Sequence, residues 1–288
     1  MPYTVPSDLD SRPVAVLGAG TLGRRVALMF AAGGADVRIT DASPEQTEAA
    51  VRFVREQVGE VARGLGAQPG EVSASPDLAA AVDGAWLVVE AVPERLDLKI
   101  EVFGELDRLA PPDAVLASNS SSYRTSEMLE RVSRPERVLN LHFYMPPRTR
   151  AVEVMSCGQT DPAAIALVLE RAPRYGLVPF EVRAQSTGFI YNRIWAAIKR
   201  EALVVAAEGV ATPEEVDEIF RLTLGTQRGP FRMMDAVGLD VVLDIEEHYA
   251  VERPHLPEGP RALLRAYVER GDLGAKSGRG FYDDPAEG

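Results

Sequence analysis

The stretch VAVLGAGTLGRRVALMF, residues 14–30, constrains the chain more than any other. An apolar run leads into Gly18, Gly20 and Gly23 at GxGxxG spacing, and an amphipathic helical pattern follows. Each glycine meets a separate need: Gly18 a tight turn, Gly20 close approach of the backbone to a diphosphate, Gly23 close packing of helix on strand. Thr21 and Leu22 open the helix, where free N–H groups and the helix dipole favour an anion. A second run, VRIT, ends in Asp41, about 20 residues on, where a carboxylate accepts hydrogen bonds from ribose hydroxyls. A 2′-phosphate there meets like charge, so Asp41 points to NAD over NADP.

The rest of the first half repeats this alternation. Runs Val14–Leu17, Val37–Thr40, Trp86–Glu90, Val115–Ser118, Val138–Phe143 and Val152–Met155 read as strands, with helical stretches Leu22–Ala32 and Pro44–Arg63 between them. Strand and helix in turn predict a parallel sheet covered by helices. After about Gln185 the pattern turns helical, with apolar residues at Ile190, Ile194, Ile198, Ala202 and Val205 in a stretch from Thr187 to Glu208. Thr212 reads as an N-cap before Pro213, Glu214 and Glu215, and Gly225 as a terminator. The expectation is an α/β domain over residues 1–185 followed by an all-helical domain over 186–288.

Length agrees with two domains: 288 residues against a prior of about 150 per domain. No apolar run approaches the ~18 residues of a membrane span, and the N-terminus lacks the pattern of a secretory signal. Cys157 is the one cysteine, which excludes an internal disulfide and a cysteine metal cluster and fits a reducing, cytoplasmic setting. No metal site is expected. The net charge of −12 argues against nucleic acid or an anionic membrane as partner, and an anionic ligand needs a local positive site.

Two segments carry candidate chemistry. SNSSS, Ser118–Ser122, follows a strand's carboxyl end, the edge that faces the ligand crevice in parallel sheets. In LNLHFYMPPRTRAVEVM, residues 139–155, His142 and Glu153 lie equally far from the Pro147–Arg148 turn. An antiparallel hairpin places them opposite one another. A carboxylate beside imidazole orients the ring and fixes its tautomer, which makes a general base.

With these segments the chain resembles the 3-hydroxyacyl-CoA dehydrogenase family over essentially its whole length. LVVEAVPERLDLKIEVFGELD, STGFIYNRIWAAIKREAL, GTQRGPFRMMDAVGLD and GDLGAKSGRGFYDD extend the match in order. The resemblance implies a Rossmann-like doubly wound domain, a helical C-terminal domain forming a homodimer, NAD as cofactor, and a place in fatty acid metabolism. It implies His142 as catalytic base, Glu153 as its orienting carboxylate, and Ser121 and Asn192 as contacts of the substrate oxygen. Glu94, Lys99 and Lys276 match cofactor contacts.

The chain departs from the family at two places. Met145 stands where an asparagine usually precedes the proline after the catalytic strand. The family's serine and lysine that contact CoA fall on Gln57 and Gly64, leaving Arg52, Arg55 and Arg63 as possible phosphate partners. The substrate is therefore a 3-hydroxyacyl thioester, on CoA or a carrier protein, or alternatively a free 3-hydroxy acid of gulonate or carnitine type read by Arg148 or Arg150. A non-catalytic NAD-binding protein is the reading from a different class.

Overall fold

A computed structural model of the protein describes residues 3–284; the expected domain limits at 1 and 288 lie outside them. Two compact units emerge, Met1–Ile190 and Tyr191–Gly288.

In the first unit, eight strands form one sheet among the described residues. They are β1 (Val14–Leu17), β2 (Val37–Thr40), β3 (Val72–Ala74), β4 (Leu87–Glu90), β5 (Val115–Ser118), β6 (Val138–Phe143), β7 (Ala151–Ser156) and β8 (Val178–Val182). Their order is β3-β2-β1-β4-β5-β6-β7-β8. All neighbours run parallel except β6 and β7, which form an antiparallel hairpin. Helices α1 (Thr21–Ala32), α2 (Pro44–Leu65), α3 (Leu78–Val82), α4 (Leu96–Leu109) and α5 (Pro162–Arg171) complete the unit.

The central strands are buried at nearly every position because both faces are covered. Val14 and Val16 enter one core with Phe30, Val54 and Val168, whereas Ala15 between them enters the other with Phe103, Leu106 and Met128. The strand order reverses between β1 and β4, and this is where the crevice of a doubly wound sheet opens, at the carboxyl ends of the strands. Gly18, Glu90, Ser118 and Phe143 all stand at those ends.

The second unit is helical: α6 (Tyr191–Ala207), α7 (Pro213–Leu224), α8 (Pro230–Val237), α9 (Leu239–Glu252) and α10 (Gly259–Glu269). Leu203, Phe231, Met234, Leu239, Val242, Leu264 and Phe281 form its core. Thr212 caps α7 reciprocally with Glu215, and Gly225 ends it in the left-handed region at φ 66°. Asp217 accepts from the N–H groups of Phe231 and Arg232 at the start of α8, and Asp235 from those of Phe281 and Tyr282. Burial raises the Asp235 carboxyl above the ordinary value despite those donors. No helix among the described residues is long and apolar enough to cross a membrane.

The helical pattern from Thr187 starts later than its apolar spacing predicts. Gly188 at φ 76° and Phe189 at φ 54° turn the chain through the left-handed region, so α6 begins only at Tyr191. That region costs a non-glycine residue about 1–2 kcal/mol, which packing must offset.

Candidate active site

The glycine loop folds as its sequence requires. Gly18 has φ 102°, and a Cβ there would lie 2.4 Å from the Ala91 carbonyl oxygen. A Cβ on Gly23 would lie 1.9 Å from the Gly18 carbonyl oxygen, so helix and loop touch at that point. At Gly20 the same atom would meet nothing within 4 Å. No side chain caps α1 at Gly20, so the N–H groups at its first turn, around Thr21 and Leu22, are offered outward. Asp41, just past β2, accepts from Ala19 N–H at 2.8 Å and from Ser43 N–H at 2.9 Å, which fixes its carboxylate against the loop. Open space at Gly20, an uncapped helix and a held carboxylate suit a dinucleotide.

On the other side of the reversal point a polar network fixes the serine segment. Ser118 hydroxyl donates to Glu90 at 2.6 Å, and Ser120 hydroxyl to Glu94 at 2.5 Å. Glu94 also accepts from Ser122 N–H at 2.9 Å, and Asn119 accepts from Phe143 N–H at 3.0 Å. Burial by itself raises Glu94; the Ser120 hydroxyl, the Lys99 ammonium and the Ser122 N–H outweigh it, so its carboxyl lies below the ordinary value. Ser121 is exposed between these anchored neighbours.

Lys99 anchors this network from within the fold. It is 1 % exposed, with its ammonium 2.7 Å from Glu90, 3.2 Å from Glu94 and 3.3 Å from the Val92 carbonyl oxygen. A buried ammonium must be paired, and these three acceptors use its three protons. Lys99 therefore holds Glu94 and the serine loop in place.

The β6–β7 register sets His142 directly opposite Glu153. Both are 3 % exposed, and His142 Nδ1 lies 3.1 Å from Glu153 Oε2. Three further groups surround the pair. The Tyr144 hydroxyl donates to the same Oε2 at 2.5 Å, and Ile190 N–H donates to Oε1 at 2.9 Å. The Phe189 ring stacks on the imidazole, centroids 4.5 Å apart and planes within 10°. The left-handed turn at Phe189 thus supplies both a ring against the imidazole and a donor to the carboxylate facing it.

Sequence reading missed Tyr144, Phe189, Ile190 and Glu90. Tyr144 carried a signal, standing two residues beyond His142 in a segment of period two. The others depend on a turn and a burial that no local pattern marks.

The remaining candidates are placed separately. Asn192 lies in the first turn of α6, and Lys276 pairs with Asp240 in the helical unit. Met145, Arg148 and Arg150 are exposed in the turn after β6.

A reversal-point crevice with a dinucleotide loop on one strand end and a buried imidazole–carboxylate pair on another belongs to an NAD-dependent oxidoreductase. The comparisons identify which kind. The family model described as 3-hydroxyacyl-CoA dehydrogenase, NAD binding domain, matches residues 13–185, and that of the family's C-terminal domain matches residues 188–284. The chain belongs to the 3-hydroxyacyl-CoA dehydrogenase family. It is 35 % identical over 283 residues to a probable 3-hydroxybutyryl-CoA dehydrogenase of Bacillus subtilis, covering 96 % of this chain and 98 % of the relative. A 3-hydroxybutyryl-CoA dehydrogenase of Mycobacterium tuberculosis is 36 % identical over 279 residues, covering 93 % and 97 %. The crystal structure of the (S)-3-hydroxybutyryl-CoA dehydrogenase PaaH1 of Ralstonia eutropha superposes with a TM-score of 0.83 at 30 % identity, covering 94 % and 98 %.

Proposed function

We propose that the chain interconverts a 3-hydroxyacyl thioester and its 3-keto form, with His142 as general base and Glu153 as the carboxylate that orients it. One observation carries this reading: a buried His142 whose Nδ1 faces Glu153, with no protein partner at Nε2 among the described residues. A proton on Nδ1 satisfies the carboxylate and leaves the Nε2 lone pair to accept a proton from a hydroxyl. Glu153 then stabilises the imidazolium, and three donors keep it in place. Ser121, exposed on its braced loop, and Asn192 are the donors proposed for the substrate oxygen as it becomes a carbonyl.

Gly18, Gly20, Thr21, Leu22, Gly23 and Asp41 are the residues that would hold NAD, with Glu94 and Lys276 as further contacts. NAD supplies the hydride acceptor; the protein supplies orientation and the base. The names of the relatives favour a thioester over a free acid. A homodimer through the helical domain is part of this reading, as is a role in fatty acid metabolism. The exposed Ile219, Leu222 and Leu224 of α7 support the dimer.

The test is NADH formation from a 3-hydroxybutyryl-CoA, the matching N-acetylcysteamine thioester and free 3-hydroxy acids including gulonate and carnitine. Thioester turnover that falls by orders of magnitude in His142→Asn, with NADH binding retained, supports the proposal. Turnover of free acids alone removes the thioester, and an indifferent His142→Asn removes the base.

A further inference from the structure

Arg24 and Arg25 sit in an unfavourable place. They occupy the fourth and fifth positions of α1, next to the positive end of the helix dipole, and the first turn of α1 holds no acidic residue. Both guanidinium groups pack over one ring, Phe53 of α2, at 4.4 Å and 5.6 Å from its centroid. Two like charges share one small area, and neither has a carboxylate partner among the described residues. Each also has a buried Nε without a hydrogen-bond partner.

The contrast with other partly buried arginines is informative. Arg12 holds Asp113, Arg137 holds Asp107 and Arg200 holds Glu246. In a chain of net charge −12, acids are plentiful, so a crowded pair left without one is an unbalanced local charge. Cation–π packing offsets part of the cost at Phe53, but the ring carries no negative charge to balance two cations.

Position connects the pair to the proposed chemistry. Arg25 Nη1 donates to the Pro146 carbonyl oxygen at 3.3 Å. Pro146 is four residues beyond His142, so a fully extended chain bounds its separation from the His142 backbone at about 14 Å. Arg148 and Arg150, exposed in the same turn, also have no carboxylate partner among the described residues and add positive charge there. A singly charged carboxylate is a poor match for this concentration of cations. A phosphate, with several acceptor oxygens and more than one negative charge, can engage two guanidinium forks together.

The geometry points to Arg24 and Arg25, braced on Phe53, as a site for the phosphate-bearing tail of the substrate. This rests on the thioester reading above, and it assigns recognition of the carrier to α1. Dinucleotide diphosphate offers the same chemistry near the same helix, so the experiment must separate the two sources.

The experiment compares wild type, Arg24→Gln, Arg25→Gln and Arg24→Lys. It measures kcat/KM in the reductive direction with acetoacetyl-CoA and with acetoacetyl-N-acetylcysteamine, which lacks the phosphates. Calorimetry with NADH and with CoA runs alongside, and thermal midpoints confirm folding. The expected result is a fall of tenfold or more in the CoA to N-acetylcysteamine ratio of kcat/KM for each Gln variant. CoA binding should weaken by a similar factor, with part of the loss restored in Arg24→Lys. Weakened NADH binding with an unchanged substrate ratio overturns the proposal and gives the pair to the cofactor. No change in either also overturns it. If wild type turns over no thioester, the proposed reaction has failed; retained, arginine-dependent CoA binding then still supports the site, and its absence overturns it.

Discussion

Tyr144 and His142 share one oxygen: the Tyr144 hydroxyl donates to Glu153 Oε2 at 2.5 Å, and His142 Nδ1 lies 3.1 Å from the same atom. The tyrosine therefore helps hold the carboxylate that faces the imidazole, the proposed base. A hydrogen bond to a charged group such as this is worth about 1.5–3 kcal/mol. Tyr144→Phe keeps the ring edge-on to His142 and deletes only the donor. The expected outcome is a fall in kcat of about 12- to 160-fold with little change in KM for NAD. Steady-state kinetics with both substrates varied checks it, and an unaltered kcat would remove Tyr144 from the proposed machinery.

Gly20 and Gly23 separate folding from cofactor binding. Gly23→Ala drives a Cβ to 1.9 Å from the Gly18 carbonyl oxygen, so the loop or α1 must shift, at a cost of about 1–3 kcal/mol or more. Gly20→Ala meets nothing within 4 Å. Its thermal midpoint should stay within a few degrees of wild type while NADH affinity drops at least tenfold, because the added methyl occupies the space left for the diphosphate. Calorimetric NADH titration with parallel thermal melts decides; a Gly20→Ala protein that binds NADH normally would place the diphosphate elsewhere.

Asp41 should set the choice of dinucleotide. Its carboxylate is held by Ala19 and Ser43 N–H groups, with like charge opposing any 2′-phosphate. Asp41→Ser is expected to lower the ratio of kcat/KM for NAD over NADP by tenfold or more. An unchanged ratio would mean that selectivity resides in another part of the site.

Acid stability offers a test of the serine-loop network. Glu94 lies below its ordinary value, because hydrogen bonds and Lys99 outweigh burial. Its folded state therefore binds the proton less tightly than the unfolded chain does. The ionised group stabilises the fold above the ordinary glutamate range, and this contribution is lost as pH falls through the lowered value. Glu94→Gln should melt below wild type near neutral pH, and the gap should narrow progressively below about pH 4.3. Melting curves across that range that stay parallel would contradict the assignment.

How much of this was legible in the sequence differs by element. Strands β1, β2, β5 and β6 follow from short runs, four to six residues long and rich in apolar residues, between turn signals. β3 is only three residues long, and β8 carries Pro179 with Val178 and Phe180 exposed, so neither resembles a buried strand. The His142–Glu153 juxtaposition needed only the turn position and hairpin geometry. Lys99 could not be foreseen as buried, because lysine is among the residues least often enclosed and its partners come from another strand and loop. Phe189 reaches His142 through a left-handed turn that its residue type disfavours.

The antiparallel ladder has a consequence for divergence by insertion and deletion. His142 and Glu153 occupy one cross-strand position, so their backbone separation is determined by paired strands and not by the residues from Met145 to Arg150 that join them. Beyond Tyr144, whose hydroxyl also holds the carboxylate, that turn can lengthen, shorten or change composition while the two residues stay opposite one another. Contacts made by Met145 to Arg150 are thus separated from the ladder position that sets the imidazole against the carboxylate. One scaffold can accordingly vary the loop it presents to a ligand while keeping this pair aligned.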